Sequence, residues 1–273
     1  MRRFAALVAL AVLATAAPVT GGSIAGAAGA AVRIPRGDRL VIQASTGGGF
    51  VPVDIARNQY PELTITGRGE LLTLGPTTLQ YPPSALPNVQ VTTISRARVR
   101  ELVARAERIG LLDDEHGDYG QPQITDHAST TVTVVANGER STTSVYALGD
   151  DGDDLSDEQR DNRAALRKFL DEAGRGTPTA EYEPTALAVL AWRADGAGED
   201  DTKAWPLAEP PVVAAGDGYG PGCTLLTDAD LAAVLEAAAS ASTQTVWTSG
   251  SDAYELAFHP LLPYEHTCED VLG

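Results

Sequence analysis

The stretch STTVTVVANGERSTTSVYAL, residues 129–148, constrains the fold of this chain more than any other. Val132, Val134 and Ala136 alternate with Thr131 and Thr133. The run ends at Asn137-Gly138, the pair favoured in a type I′ turn because both central residues need positive φ. Val145 and Ala147 then return the chain as a second strand. An antiparallel hairpin of this kind places the fold among those built on antiparallel sheets.

Helix signals flank it. In SRARVRELVARAERIG, Ser95 is an N-cap, Gly110 a C′ residue, and Val99, Leu102, Val103 and Ala106 form one apolar stripe. Arg98, Arg100, Arg105 and Arg108 occupy the other face, read as solvated. In LSDEQRDNRAALRKFLDEAG, Ser156 and Gln159 make a capping box, Gly174 stops the helix, and Leu166, Phe169, Leu170 and Ala173 form its buried edge. Upstream, LVIQAST, ELTIT and ELLTLG read as short strands, with Leu40, Ile42 and Ala44 alternating along the first. STGGGF is a strand-ending turn, because no helix follows it to receive a phosphate. YPPSALPNV, with its three prolines, predicts an extended, exposed connection.

After GRGTPTAEYEP, read as a linker, a second set of elements begins. TALAVLAW is a buried strand, GAGEDD a loop, and TDADLAAVLEAAAS a helix capped by Thr227. TQTVWTS and AYELAFH form a closing hairpin around Ser249-Gly250-Ser251, with Tyr254, Leu256 and Phe258 on one face and Glu255 and His259 on the other. His259 is thereby expected at the surface. The fold class is α+β: two consecutive units of antiparallel strands, each packed on one or two helices, the second carrying a disulfide. The organisation expected is residues 31–174, a linker at 175–183, and residues 184–273.

MRRFAALVALAVLATAAPVTGGSIAGAAGAA opens the chain with Arg2 and Arg3 before an apolar run from Phe4 to Ala17. Small residues follow, which marks residues 1–30 as a secretory signal peptide, too short for a stable membrane span. The protein is expected to be secreted, with no span left after cleavage. Charge is uneven: Val32 to Gly110 holds ten arginines and six acids, whereas Leu111 onward holds eight basic residues and 31 acids. A net charge of −17 repels phosphate backbones and argues against nucleic-acid partners.

Two cysteines in an exported chain predict one bridge, Cys223–Cys268, which closes a loop of about 46 residues and contributes roughly 4 kcal/mol in the chain-entropy model. The rival reading of the tail AFHPLLPYEHTCEDVLG is a zinc site from His259, Glu265, His266 and Cys268. It matches no ligand spacing and needs a thiol that export oxidises. No metal and no cofactor are expected.

Signatures of catalysis are sparse: G-x-S-x-G, H-E-x-x-H, the P-loop and the dinucleotide glycine pattern do not occur. Catalytic residues are therefore not assigned. The one polar loop that resembles a site is LLDDEHGDYGQPQITDH, where His116, Asp118, Asp126 and His127 lie close in sequence. Carboxylates beside imidazoles can orient a general base or bind a cation. The acids of GDDGDDLSDE fail the EF-hand frame and read as the approach to a helix N-terminus.

The strings GGGFVP, YPPSALPNVQ, DYG, VYALG, LSDEQRDNRAALRKFL, WTSG and HPLLPYEHTC together resemble a family of uncharacterised exported actinobacterial proteins. The likeness covers nearly all of the chain after the signal, and implies export and a shared fold but no activity. The function expected is that of an exported, non-catalytic binding protein whose partner is an extracellular or cell-envelope protein or glycan. An inhibitor-like role resting on the proline-rich loop is its sharper version. The alternative is a secreted hydrolase or metal-dependent enzyme using the His116/His127 loop.

Overall fold

Strand and helix follow the alternation and capping signals closely. The structure is a computed structural model, describing residues 32–113, 117–194, 201–214 and 220–272. The segment read as a signal peptide, His116 and most of GAGEDD lie outside the described residues. The elements run β1 (Leu40–Gly47), α1 (Val53–Arg57), β2 (Leu63–Thr66), β3 (Glu70–Leu74), β4 (Val89–Thr93), α2 (Arg96–Arg108), β5 (Ser129–Ala136), β6 (Glu139–Tyr146) and α3 (Asp157–Ala173). They continue with β7 (Ala180–Glu181), β8 (Leu187–Arg193), β9 (Thr202–Ala204), β10 (Gly222–Leu226), α4 (Asp228–Ala238), β11 (Val246–Ser249), β12 (Asp252–Pro260) and α5 (Cys268–Leu272).

The fold is α+β with two sheets. A seven-stranded antiparallel sheet has the order β6-β5-β1-β2-β3-β4-β7, and a five-stranded sheet the order β10-β8-β12-β11-β9. In the second, among the described residues, β9 pairs parallel with β11 and the other pairings are antiparallel. The segment read as a linker contributes β7, which pairs with β4 through Gln90–Glu181 and Val91–Ala180.

Each sheet buries one face under helices. Ile42, Ala44, Ile65, Val132 and Val134 meet Val99, Leu102 and Val103 of α2 and Leu166 and Phe169 of α3. Val189, Ala191, Trp247 and Phe258 meet Leu231, Val234 and Ala238 of α4. The caps are those the sequence predicts: Ser95 accepts from the Arg98 N–H, and Ser156 and Gln159 form the reciprocal capping box. Past α2, Gly110 (φ 77°) and Leu111 donate to the Glu107 and Ala106 carbonyls, a Schellman closure. At α4 the outcome differs. Thr227 occupies the cap position without a side-chain cap bond, because its hydroxyl donates to Asp228 Oδ2 instead (3.1 Å).

The opposite faces of the two sheets approach each other, and both sheets belong to one compact unit, Val32–Gly273. Tyr60, Leu72, Val89 and Leu262 form a third buried cluster, with Val91, Tyr182 and Tyr264 packed against it. Tyr60 donates to the Pro260 carbonyl (2.9 Å) and Tyr182 to the Leu261 carbonyl (2.6 Å), so the tail after β12 is bound to the first sheet.

Two expectations change. Within the proline-rich connection only Tyr81 and Ser84 are exposed. Ser84 bridges Ser242, the Ala85 N–H donates to the Ala241 carbonyl, the Pro83 carbonyl accepts from the Thr243 N–H, and Ala85 is buried. Proline lacks a donor but keeps its acceptor, so a proline-rich segment can still be strapped to a neighbour. His259 is not a surface residue either: its side chain is 13% exposed. Alternation sends it away from the α4 core, but that other face of β12 looks onto the first sheet.

Candidate functional site

Where the two sheets face each other without closing, they leave an open cleft of about 910 Å³. One wall is the outer face of β1 and β5, with Leu40, Gln43, Ser45 and Val135. The other is the outer face of β8 and β12, with Leu190, Ala257 and His259. Tyr60 closes one part of it, and the tail brings Tyr264, Glu265, Asp270 and Val271 to its side.

The polar groups of this cleft are ordered by a buried carboxylate. Glu265, whose side chain is 5% exposed, accepts from the Leu262 N–H (2.8 Å) and lies 2.9 Å from His259 Nε2 through the same Oε2. The imidazole packs against Tyr60, with ring centroids 4.8 Å apart. Gln43 donates its amide to the Tyr264 hydroxyl. Burial first, and then neighbouring carboxylates that include Glu265, push the Tyr60, Tyr182 and Tyr264 phenols well above the usual range. These phenols stay protonated at neutral pH. Asp270 is engaged by its own turn: Oδ2 accepts from the His266 N–H (2.8 Å), the Thr267 N–H (2.9 Å) and the Thr267 hydroxyl (3.1 Å). Those bonds hold its carboxyl below the ordinary value.

The tail is fixed by the Cys223–Cys268 disulfide, with a Cα–Cα distance of 6.0 Å. Cys223 sits in β10, not in the loop before the helix, so the bridge runs from a sheet-edge strand to α5. The zinc reading thereby loses its thiolate. Among the described residues no group of three or more His, Cys, Asp and Glu is placed to hold a metal ion.

The polar loop before β5 is organised differently. Asp118 accepts from the Gly120 N–H (2.8 Å) on Oδ1 and from Gln159 Nε2 (2.9 Å) on Oδ2, which ties the loop to α3 and lowers its pKa. Asp126 takes a left-handed backbone conformation, φ 63°, and gives its carbonyl to the Phe50 N–H. His127 donates its backbone N–H to the Tyr146 hydroxyl, and its ring lies 4.0 Å from Asp150 at the surface. His116 lies outside the described residues.

Asp151 of the second acidic run faces arginine. It pairs with Arg167 (2.6 Å) and with Arg163 (3.1 Å), and those hydrogen bonds hold its carboxyl below the usual range. Arg163 is fully buried and donates to the carbonyls of Tyr119, Tyr146, Ala147 and Asp150. Arg163 stands three residues before Leu166 and seven before Leu170, on the buried edge of α3, although its charge reads as solvent-facing. The cleft itself was missed because its residues come from separated stretches, and nothing in any one of them says which other stretch its second face meets. No protein-family model, curated protein or solved structure matches the chain, so the reading of the cleft rests on its own residues.

Proposed function

We propose that the protein is an exported, non-catalytic binding protein and that its ligand occupies the cleft between the two sheets. The observation that carries this reading is the cleft of about 910 Å³, within the size range of small-molecule sites, with one side formed by a tail that a disulfide fastens. The signal-like start agrees with export, as does the bridged cysteine pair. Binding is favoured over catalysis because the groups suited to acid–base work are committed to the protein. Glu265 is held by His259 and Leu262, and Asp270 by its own turn. The alternative hydrolase reading of His116, Asp118, Asp126 and His127 has less behind it, since Asp118 is bonded on both oxygens.

The test is a thermal-shift screen of the oxidised protein against fractions of its producer's culture fluid. At least one fraction should raise the melting temperature, and Ser45→Trp, which fills the cleft from β1, should abolish the shift. Stabilisation that survives Ser45→Trp would place the ligand elsewhere. If no fraction stabilises the protein, the binding reading fails.

A further inference from the structure

Three arginines gather at one end of this cleft without a partner. The register of the first sheet explains how. β1 and β5 pair antiparallel up to Ile42 opposite Val134, and Arg39 stands just ahead of β1, beyond the bulge between Leu40 and Ile42. Across the hairpin, Arg140 of β6 lies opposite Val135. Ahead of β1, Arg33 is fastened to the same turn: its N–H donates to Asn137 Oδ1 (2.9 Å) and its carbonyl accepts from the Asn137 N–H (2.7 Å). Arg33 and Arg140 thus flank the Asn137 turn, and Arg39 lines the same cleft with them.

Their side chains are exposed, and among the described residues none of the three guanidiniums makes a hydrogen bond or an ion pair. That is unusual in a chain whose acids outnumber Lys and Arg 37 to 20. Most of the other arginines find acceptors: Arg57 has Glu255, Arg68 has Asp38 and Glu70, Arg105 has Glu172, and Arg193 has Asp252, while Arg36, Arg100 and Arg175, which also have no side-chain partner among the described residues, lie outside the cleft. The carboxylates of the cleft do not serve the trio, because Glu265 and Asp270 are taken up by their own hydrogen bonds. Like charges along one cleft repel, and among the described residues no ion pair is made to any of the three guanidiniums.

Resting on the reading of the cleft as a binding site, we infer that it takes a small molecule carrying several anionic oxygen groups, held by Arg33, Arg39 and Arg140. Guanidinium presents a planar fork of donors that matches a carboxylate or a phosphate in two parallel hydrogen bonds. The acidic surface elsewhere disfavours long polyanions, which would have to lie across it, whereas a compact ligand stays inside the arginine end. Gln43 and the Tyr264 hydroxyl lie on the same cleft and offer neutral hydrogen-bonding groups beside the charged one.

Titration calorimetry of the oxidised protein tests this with citrate for the carboxylate case, pyrophosphate for the phosphate case, and glucose as a neutral control. At least one anion should bind and glucose should not, and added salt should weaken the binding. Each of R33Q, R39Q and R140Q should cost about tenfold in affinity, as expected for loss of a charge-assisted hydrogen bond. R100Q, on the solvated face of α2, should leave it unchanged. All four substitutions are at exposed positions, and unchanged melting temperatures confirm that the variants fold. The inference is overturned if neither anion binds at millimolar concentration, or if binding persists when all three arginines are replaced. Should neither anion bind while a culture-fluid molecule still stabilises the protein in a Ser45-dependent way, only the assignment of charge falls and the cleft remains a binding site.

Discussion

Arg163 is the residue on which the loops around α3 depend. It stands in a polar helix sequence, yet its side chain is fully buried, and four main-chain carbonyls converge on it from the Tyr119 segment and from residues 146–150. Those carbonyls belong to chain that leaves regular structure, where Ala147 has φ 47°, so the guanidinium supplies donors the backbone cannot. Arg163→Met keeps the bulk and removes every donor. It should cost about 3–5 kcal/mol, because carbonyls and part of the Asp151 charge are left without partners. Denaturant unfolding checks this, with Arg160→Met as comparison, since Arg160 meets only a nearly fully exposed Asp157 and the Leu155 carbonyl and should cost clearly less. The same contrast shows where sequence reasoning stops. In RDNRAALRK periodicity puts Arg163, three residues before Leu166 and seven before Leu170, on the buried stripe, but only the loops folded over α3 say what a guanidinium there would bond to.

At the scale of elements, the turns discriminate between backbone strain and steric conflict. Gly138 (φ 93°) closes the β5–β6 hairpin and a Cβ there would meet nothing within 4 Å. Gly69 (φ 95°) closes β2 to β3, and a Cβ there would sit 2.2 Å from the Ile94 carbonyl oxygen. Gly138→Ala should therefore cost only the left-handed penalty, about 1–2 kcal/mol. Gly69→Ala should cost clearly more, since the Ile94 N–H to Gly69 carbonyl bond that ends β4 must also shift. Melting temperatures of the two variants rank them, and equal losses would show that the Ile94 segment yields freely. Elements of this kind were legible: the Asn137-Gly138 turn, the capping box at Ser156 and the β11–β12 hairpin all stand where period and turn chemistry put them. Their faces were legible only by half. Alternation along β12 separates Tyr254, Leu256 and Phe258 from His259, but it cannot say that the second face meets another sheet. The cleft, built from such second faces, was invisible for that reason.

Across the whole molecule, the tail after β12 joins the disulfide to the cleft. Leu262 is buried in the cluster between the sheets, Glu265 orders His259, and Asp270 and Val271 reach the cleft just after Cys268. Without the bridge to β10, α5 is a single short turn held by little else, because none of its residues is buried. Reduction should lower stability by roughly 2–5 kcal/mol, with the oxidised and reduced proteins compared by denaturant unfolding. The loss should be uneven. Amides of β10 and of residues 262–270 should exchange faster with solvent, while those of the β5–β6 hairpin, whose ladder bonds lie within the other sheet, keep their protection. Cleft-dependent stabilisation by a ligand should fall at the same time, since one side of the cleft loosens before either sheet unfolds. Thiol labelling of the unreduced, denatured protein fixes the starting point, and two reactive thiols there would remove the bridge from the account. If reduction instead leaves exchange in the tail unchanged, then Tyr60, Tyr182 and the Glu265 bonds hold the cleft without help from the cysteines.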